Sequence, residues 1–474
     1  MNASYELAVI GAGPAGIEAA ISACEAGVKT ILIDQFPQAG GQYYKPLPAA
    51  YKPVRKTGTE KEGDELANRL AKLPITQLFN ALTWGIFKEE NGEGFQVTLY
   101  GGDAPSQIHA LRLVLANGAY DTPVAFPGWT LPGVITSGAA LILLKNQRVA
   151  PFRRALVTGT GPLLLSAAAH LIEAGVNVIG VCEANRPKPK AILYGVTLIR
   201  EWERLMEGAK YLSSLYRGKA AYKMGWTIVA ARGKDQVEEA VIARVDDKGV
   251  PIPGTEQTLS VDTVVCGYGL TPNTSLARMI GCKLEYHPKK GGWVPWRDET
   301  LQTSVAGIYI AGDCAGICGA ENARLEGRIT GCGVACESGH IRKQEMDRIF
   351  EQIKAKLGQQ RRFGQMLGEF FSPMPGLISL AHDETNLCRC EEISLGEVKA
   401  AVAAGARTIG EVKMITRAGM GNCQGRMCER SVAGAIVQEL VREQITPESV
   451  GTYSIRVPLY PLPIGFFAKA GIEE

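Results

Sequence analysis

The chain has 474 residues, 46% of them hydrophobic and 21% charged, and a net charge of +3. That length exceeds what one hydrophobic core holds, so two to four domains of ordinary globular composition are expected. The near-neutral balance excludes an electrostatic footprint for nucleic acid or an anionic membrane, and no apolar run reaches the roughly 18 residues of a membrane span.

The first run, Tyr5-Glu6-Leu7-Ala8-Val9-Ile10, reads as a buried parallel strand. Gly11-Ala12-Gly13-Pro14-Ala15-Gly16 follows, then an Ala-rich helical pattern to about Gly27 and a second strand, Thr30-Ile31-Leu32-Ile33, ending at Asp34 with Gln35 beside it. This is a βαβ unit with G-x-G-x-x-G at its turn. Gly11 makes the turn, Gly13 admits a pyrophosphate, Gly16 lets helix and strand pack, and the helix N-terminus offers free N–H groups. Asp34 is placed for an adenosine ribose. With the first strand starting within a few residues, no signal peptide is expected, and twelve cysteines without one suit reduced thiols and metal ligands rather than disulfides.

Gly40-Gly41-Gln42-Tyr43-Tyr44 comes next. A glycine pair at this distance from the ribose acid resembles the flavoprotein disulfide reductase-like family, in which the loop runs along the flavin. The resemblance places Gly41 and Gln42 at the flavin. No cysteine pair lies near Gln42, so a dithiol relay there is excluded. Strands are expected over 95–99 and 111–116. Ala116-Asn117-Gly118 resembles the turn that closes the first part of the family's flavin domain, and prolines 123, 127 and 132 mark a crossing.

A second βαβ pattern begins with strand 155–158 and reads Gly159-Thr160-Gly161-Pro162-Leu163-Leu164, a helix to Ala174, and strand 177–182 ending at Glu183. Leu164 stands where the third glycine belongs. It is expected to hold the helix off the strand and to crowd a pyrophosphate, so this domain reads as a Rossmann-type fold without catalytic NAD(P)H. An additional FMN or adenine nucleotide there is left open. The basic run Arg186-Pro187-Lys188-Pro189-Lys190 reads as a solvated loop.

Strand 263–266 leads back toward the first domain, and residues 303–313, ending Ala311-Gly312-Asp313, resemble the family's second flavin signature. The resemblance puts Gly312 and Asp313 on the ribityl and pyrophosphate side, with the following helix aimed at the flavin. Cys314, Cys318, Cys332 and Cys336 invite a metal reading. A continuous helix over 321–335 would separate the pairs by about 20 Å, so buried structural thiols are expected. Cys24, Cys182, Cys266 and Cys282 read as core residues, and His170 as a packing or surface residue. Residues 340–372 are charged and helical.

The last unit carries Cys388-Arg389-Cys390 and, after 32 intervening residues, Cys423-Gln424-Gly425-Arg426-Met427-Cys428. Four thiolates in two pairs suit zinc or a 2Fe–2S cluster. C-x-C is awkward for structural zinc, which favours wider pair spacing. Ser394-Leu395-Gly396-Glu397 is a capping box opening a helix to about Ala404, and Cys428 opens another to about Glu443. The segment resembles the bacterioferritin-associated-ferredoxin type of 2Fe–2S domain, with four residues rather than two between the last two cysteines. That variant, with Gly291-Gly292-Trp293-Val294-Pro295, residues 419–426 and the tail Tyr453-Ser454-Ile455-Arg456-Val457-Pro458, resembles the α subunits of heteromeric dye-linked amino-acid and opine dehydrogenases.

The expected fold is an α/β two-dinucleotide-domain flavoprotein, disulfide reductase-like, with an appended small α-helical 2Fe–2S domain. The expected units are flavin-domain parts 1–120 and 266–345, a second Rossmann-like domain 121–265, a helical connector 346–385, the cluster domain 386–450 and a docking tail 451–474. FAD is expected on Gly11, Gly13, Pro14, Ala15, Gly16, Asp34, Gln35, Gly41, Gln42, Asn117, Gly118, Gly312 and Asp313. The cluster is expected on Cys388, Cys390, Cys423 and Cys428. The resemblance implies that the partner is a β subunit of the amine-oxidase flavoprotein type and that the acceptor is a quinone or dye-like molecule. Reduced thiols without a signal peptide give a cytoplasmic location as the expectation, with peripheral membrane association left open. No catalytic acid–base pair is legible. The rival readings are a self-contained NAD(P)H-dependent reductase and a non-catalytic redox-sensing or scaffold protein.

Overall fold

The computed structural model describes residues 4–47, 58–90, 92–101, 104–186 and 201–470. The strand Ser4–Ile10 lies inside a seven-stranded sheet, parallel to Thr30–Ile33 on one side and Gln107–Leu115 on the other. Leu7, Ala8 and Val9 have no solvent exposure. Burial on both faces is what an unbroken apolar run in a parallel strand requires. Thr76–Leu78 extends the parallel order past Thr30–Ile33. Gln107–Leu115 also carries the antiparallel strand Phe95–Tyr100, itself paired with Leu82–Lys88, and the late parallel strand Ile308–Ile310. That last pairing brings Gly312 and Asp313 beside the first glycine turn.

The second sheet has five parallel strands in the order Ala221–Met224, Asn177–Glu183, Arg154–Gly159, Thr263–Gly267 and Val134–Thr136. A three-stranded antiparallel sheet, Trp226–Arg232, Glu239–Arg244 and Gln257–Ser260, lies over it. The chain leaves the first domain and returns to it through one antiparallel pair, Ala119–Asp121 with Leu270–Pro272.

Helix Ala320–Glu337 crosses helix Pro14–Glu25 at backbone contact: a Cβ on Gly327 would stand 2.1 Å from the Ala15 carbonyl oxygen. A 29-residue helix, Lys343–Phe371, then packs with it. That helix starts before residue 346 and buries Met346, Ile353, Leu357 and Phe363.

The C-terminal unit holds the short strands Asn386–Cys388 and Ile393–Ser394 and the helices Leu395–Ala403, Ile409–Thr416 and Glu429–Glu439. The Ser394–Glu397 capping box is present with both its bonds. A second box, Thr408 with Glu411, opens the helix Ile409–Thr416, which is not among the elements expected above. The helix after Cys428 stops at Glu439, and a 3-10 turn Val441–Glu443 completes the expected span. One hydrophobic core joins this unit to the second domain, running from Phe126, Trp129 and Tyr268 to Val398, Ile436 and Tyr453. Trp129 Nε1 donates to the Asn386 carbonyl at 2.6 Å.

Candidate functional site

The first glycine turn is built on backbone contacts that exclude side chains. A Cβ on Gly16 would stand 1.8 Å from the Gly11 carbonyl oxygen, and one on Gly11 2.3 Å from that of Ala116. A Cβ on Gly13 would meet only Gly41 Cα, at 3.9 Å. Gly11 and Gly16 therefore serve the fold, while Gly13 leaves room for something outside the chain. Asp34 closes the turn: its carboxylate accepts from Ala12 N at 2.5 Å and Phe36 N at 2.8 Å. Burial pushes the Asp34 pKa up against those two bonds. Gly40 N donates to the Ala12 carbonyl at 2.8 Å, which holds the 40–44 loop on the turn. Gln35 and Gln42 are exposed, and Pro14 and Ala15 begin the helix.

Asn117 Nδ2 donates to the Asn273 carbonyl at 2.7 Å, while Asn117 Oδ1 is buried without a partner among the described residues. Both amide atoms of Asn322, at the start of helix Ala320–Glu337, are likewise orphaned. Buried orphaned polar atoms ask for a ligand or water. Gly118 leads on from Asn117, with nothing within 4 Å of an added Cβ.

At the second signature, Asp313 Oδ1 accepts from Cys318 N at 3.0 Å and Gly319 N at 3.2 Å, so its visible work is to fold the loop before the helix. The helix does not follow directly: a 3-10 turn Asp313–Ala315 intervenes. Gly312 N donates to Glu326 at 3.0 Å. Glu326 is 1% exposed and takes two bonds from Arg297, each 2.7 Å. Burial alone would raise the Glu326 pKa; Arg297 and the Gly312 N–H outweigh it and hold it below the usual carboxylate value. Nothing in local pattern marks this pair, whose partners come together only in the fold.

The second turn differs. Glu183 accepts from Gly161 N at 2.8 Å and Asn185 N at 2.9 Å, as Asp34 does in the first domain, and burial pushes its pKa up. Leu164 does not stand the helix Pro162–Glu173 away. It is 1% exposed and fits because residue 267 is glycine: a Cβ there would meet Leu164 Cδ2 at 2.9 Å. The turn is covered instead by the end of helix Lys343–Phe371. The site of a Gly161 Cβ lies 3.7 Å from Phe371 Cβ, Thr160 Oγ1 donates to the Phe371 carbonyl at 3.3 Å, and Asn185 Nδ2 reaches that of Ser372 at 3.5 Å. Arg186 Nη2 is spent on the Val245 carbonyl at 2.9 Å; the rest of the basic run, 187–190, lies outside the described residues.

The C-terminal unit brings Cys388, Cys390, Cys423 and Cys428 together as two pairs. Cys390 and Cys423 stand with sulfurs 3.7 Å apart. Cys388 and Cys428 form the other pair: the hydrogen bond between them, with the Gly419 N–H at 3.5 Å, lowers the Cys388 thiol, and the same bond pushes Cys428 up. Cys390 is exposed. Among the described residues no three His, Cys, Asp or Glu side chains gather around one ion. Four thiols arranged as two pairs fit a two-iron group with two thiolates per iron.

The other quartet stays apart. Cys314 and Cys318 precede helix Ala320–Glu337 while Cys332 and Cys336 lie near its far end. Cys314 and Cys332 are buried, with thiols pushed up by burial to about 12 and about 11, but Cys318 and Cys336 are partly exposed. Cys182, Cys266 and Cys282 are buried, and Cys24 is partly exposed rather than core. His170 is partly buried, bonded to the Ser166 carbonyl at 2.7 Å.

A glycine-turn dinucleotide domain, a second with its turn covered, and a paired four-thiol unit define a flavoprotein oxidoreductase with an attached iron–sulfur module. The chain belongs to the pyridine nucleotide-disulphide oxidoreductase family, whose model matches residues 5–339, and residues 387–438 match the BFD-like [2Fe-2S] binding domain. The two domains imply FAD and a 2Fe–2S cluster. The chain is 31% identical to the A subunit of opine oxidase from Agrobacterium tumefaciens, over 98% of its own length and 91% of that protein's. It is also 31% identical to hydrogen cyanide synthase subunit HcnB of Pseudomonas aeruginosa, over 98% of both. The solved L-proline dehydrogenase from P. horikoshii shares the fold, with a TM-score of 0.69 at 22% identity, over 98% of this chain and 79% of that one. No helix among the described residues is long and apolar enough to cross a membrane.

Proposed function

We propose that this chain is the α subunit of a heteromeric dye-linked amino-acid or opine dehydrogenase. In this reading a C–N bond is oxidised in a β subunit of the amine-oxidase type. The α subunit then carries the electrons to a one-electron or quinone acceptor. The observation that carries the proposal is the presence, in one chain, of a dinucleotide turn open at Gly13 and a paired set of four thiols, with Arg278 and Glu429 tying the two parts together. The relatives named as subunits support a partner.

FAD is assigned to Gly11, Gly13, Pro14, Ala15, Gly16, Asp34, Gln35, Gly41, Gln42, Asn117, Gly118, Gly312 and Asp313, and the cluster to Cys388, Cys390, Cys423 and Cys428. When bound, a flavin accepts an electron pair and a 2Fe–2S cluster passes one electron at a time. This chain's own residues hold that arrangement still. Asp34 and Glu326 fix the two backbone turns that would face the flavin. Arg278 Nη2 binds Glu429 at 3.0 Å, tying the helix after Cys428 to the flavin domain. The division proposed from the sequence, with the second domain at 121–265 and the cluster unit at 386–450, goes with this assignment.

The rival NAD(P)H reductase reading is disfavoured by Phe371 and Ser372, which occupy the approach to Gly161. An FMN or adenine nucleotide in the second domain would meet the same cover. The test is anaerobic mixing of the purified complex with a panel of amino acids and opines. Flavin bleaching followed by a cluster EPR signal is expected with at least one amine and with neither NADH nor NADPH. Reduction by a nicotinamide alone, with no response to any amine, contradicts the proposal.

A further inference from the structure

The tail at 453–458 carries a residue whose position the electron-carrier assignment does not explain. Tyr453 is 2% exposed, just after the short helix Pro447–Val450. Its hydroxyl stands 3.7 Å from Cys428 Sγ. The ring fills the space where side chains at two loop positions would be: a Cβ on Gly419 would lie 2.7 Å from it, and one on Gly425 2.5 Å. The backbone is held at both polar atoms. Tyr453 N donates to Glu429 Oε2 at 3.0 Å, and the Tyr453 carbonyl accepts from Arg278, which also grips Glu429. A phenol held this firmly by groups outside the ring is placed, not merely packed.

In the thiol form of the pair either atom can donate. A metal-ligating cysteine is a thiolate and has no proton to give. The hydroxyl then has one role left, as donor to the sulfur. Hydrogen bonds to ligating sulfurs are among the factors that set iron–sulfur potentials, because a donor stabilises the more negative, reduced state over the oxidised one. Gly419 N–H supplies a matching donor to Cys388 at 3.5 Å, so both sulfurs of the inner pair receive one.

We propose that Tyr453 is a positioning residue whose hydroxyl donates a hydrogen bond to the Cys428 thiolate and thereby raises the reduction potential of the cluster. The inference rests on the cluster assignment above, and its test separates the two. Iron and sulfide are measured in the purified full complex, wild type and Tyr453→Phe, and each is titrated under EPR. The expected result is unchanged iron and sulfide with about a tenfold loss in the reduced-to-oxidised ratio at fixed potential, equivalent to about 59 mV for one electron. Full iron with an unchanged potential overturns the role of Tyr453 and leaves the cluster standing. Wild-type protein without iron and sulfide overturns the cluster assignment itself. If the phenylalanine variant loses iron, ring-fluorinated tyrosine at position 453 carries the test. It keeps the shape with a stronger donor, so the potential should rise; no change overturns the proposal.

Discussion

Replacing Glu326 by leucine tests the pair that holds the second flavin turn. The variant leaves Arg297, only 17% exposed at its side chain, with no carboxylate at 2.7 Å. Breaking one side of a buried pair costs about 3–5 kcal/mol. Gly312 N loses its acceptor as well, and an unmet buried donor costs about 1–3 kcal/mol, not simply additive with the first. Denaturant unfolding followed by flavin release should therefore show a loss of about 3 kcal/mol or more. Removing both charges, as Arg297→Met with Glu326→Leu, should recover much of it, because no lone buried charge remains. The pH dependence has a fixed sign. The folded pKa of Glu326 is lowered, so its stabilisation is present above the unfolded value of about 4.3 and lost as pH falls through the folded one. The gap between wild type and Glu326→Leu should shrink below about pH 4. A Glu326→Leu protein within about 0.5 kcal/mol of wild type, the range of ordinary surface changes, would refute the reasoning.

Gly13→Val meets no protein atom closer than the Gly41 Cα at 3.9 Å from its Cβ; it should keep the circular-dichroism spectrum and the iron while losing flavin, and a variant with full flavin would count against the site. Gly16→Ala, aimed at an oxygen 1.8 Å away, should lower soluble yield and stability as well as flavin, measured by the same spectra. NADH and NADPH should not bleach the wild-type flavin anaerobically, given the Phe371 cover over Gly161; fast bleaching would promote the reductase reading.

Local pattern carries the framework because the chemistry there is local. The turn at Gly11–Gly16, the acid closing it and the Ser394 capping box are each set by residues a few positions apart or by one βαβ unit. The Thr408–Glu411 box has the same local signature, although its helix was not expected from the sequence above. Arg297 with Glu326, Arg278 with Glu429, and Tyr453 with Cys428 were not legible, because sheet and domain packing bring each pair together. Leu164 shows the limit of judging one position alone. A leucine at the third glycine of the motif is a misfit by itself, but Gly267 on the neighbouring strand makes its room. What covers the second turn is a helix end some two hundred residues later, beyond any motif.

The central claim is that Cys388, Cys390, Cys423 and Cys428 hold one 2Fe–2S cluster and that Cys314, Cys318, Cys332 and Cys336 hold none. Iron and acid-labile sulfide analysis, with EPR of the dithionite-reduced protein, measures it on the wild type and on single Cys→Ser variants of both sets. Two irons and two sulfides per chain are expected from the pairing, falling sharply for each of the first four variants and unchanged for the others, with flavin retained throughout. Zinc in place of iron, or a full cluster signal in Cys423→Ser, would contradict the ligand set.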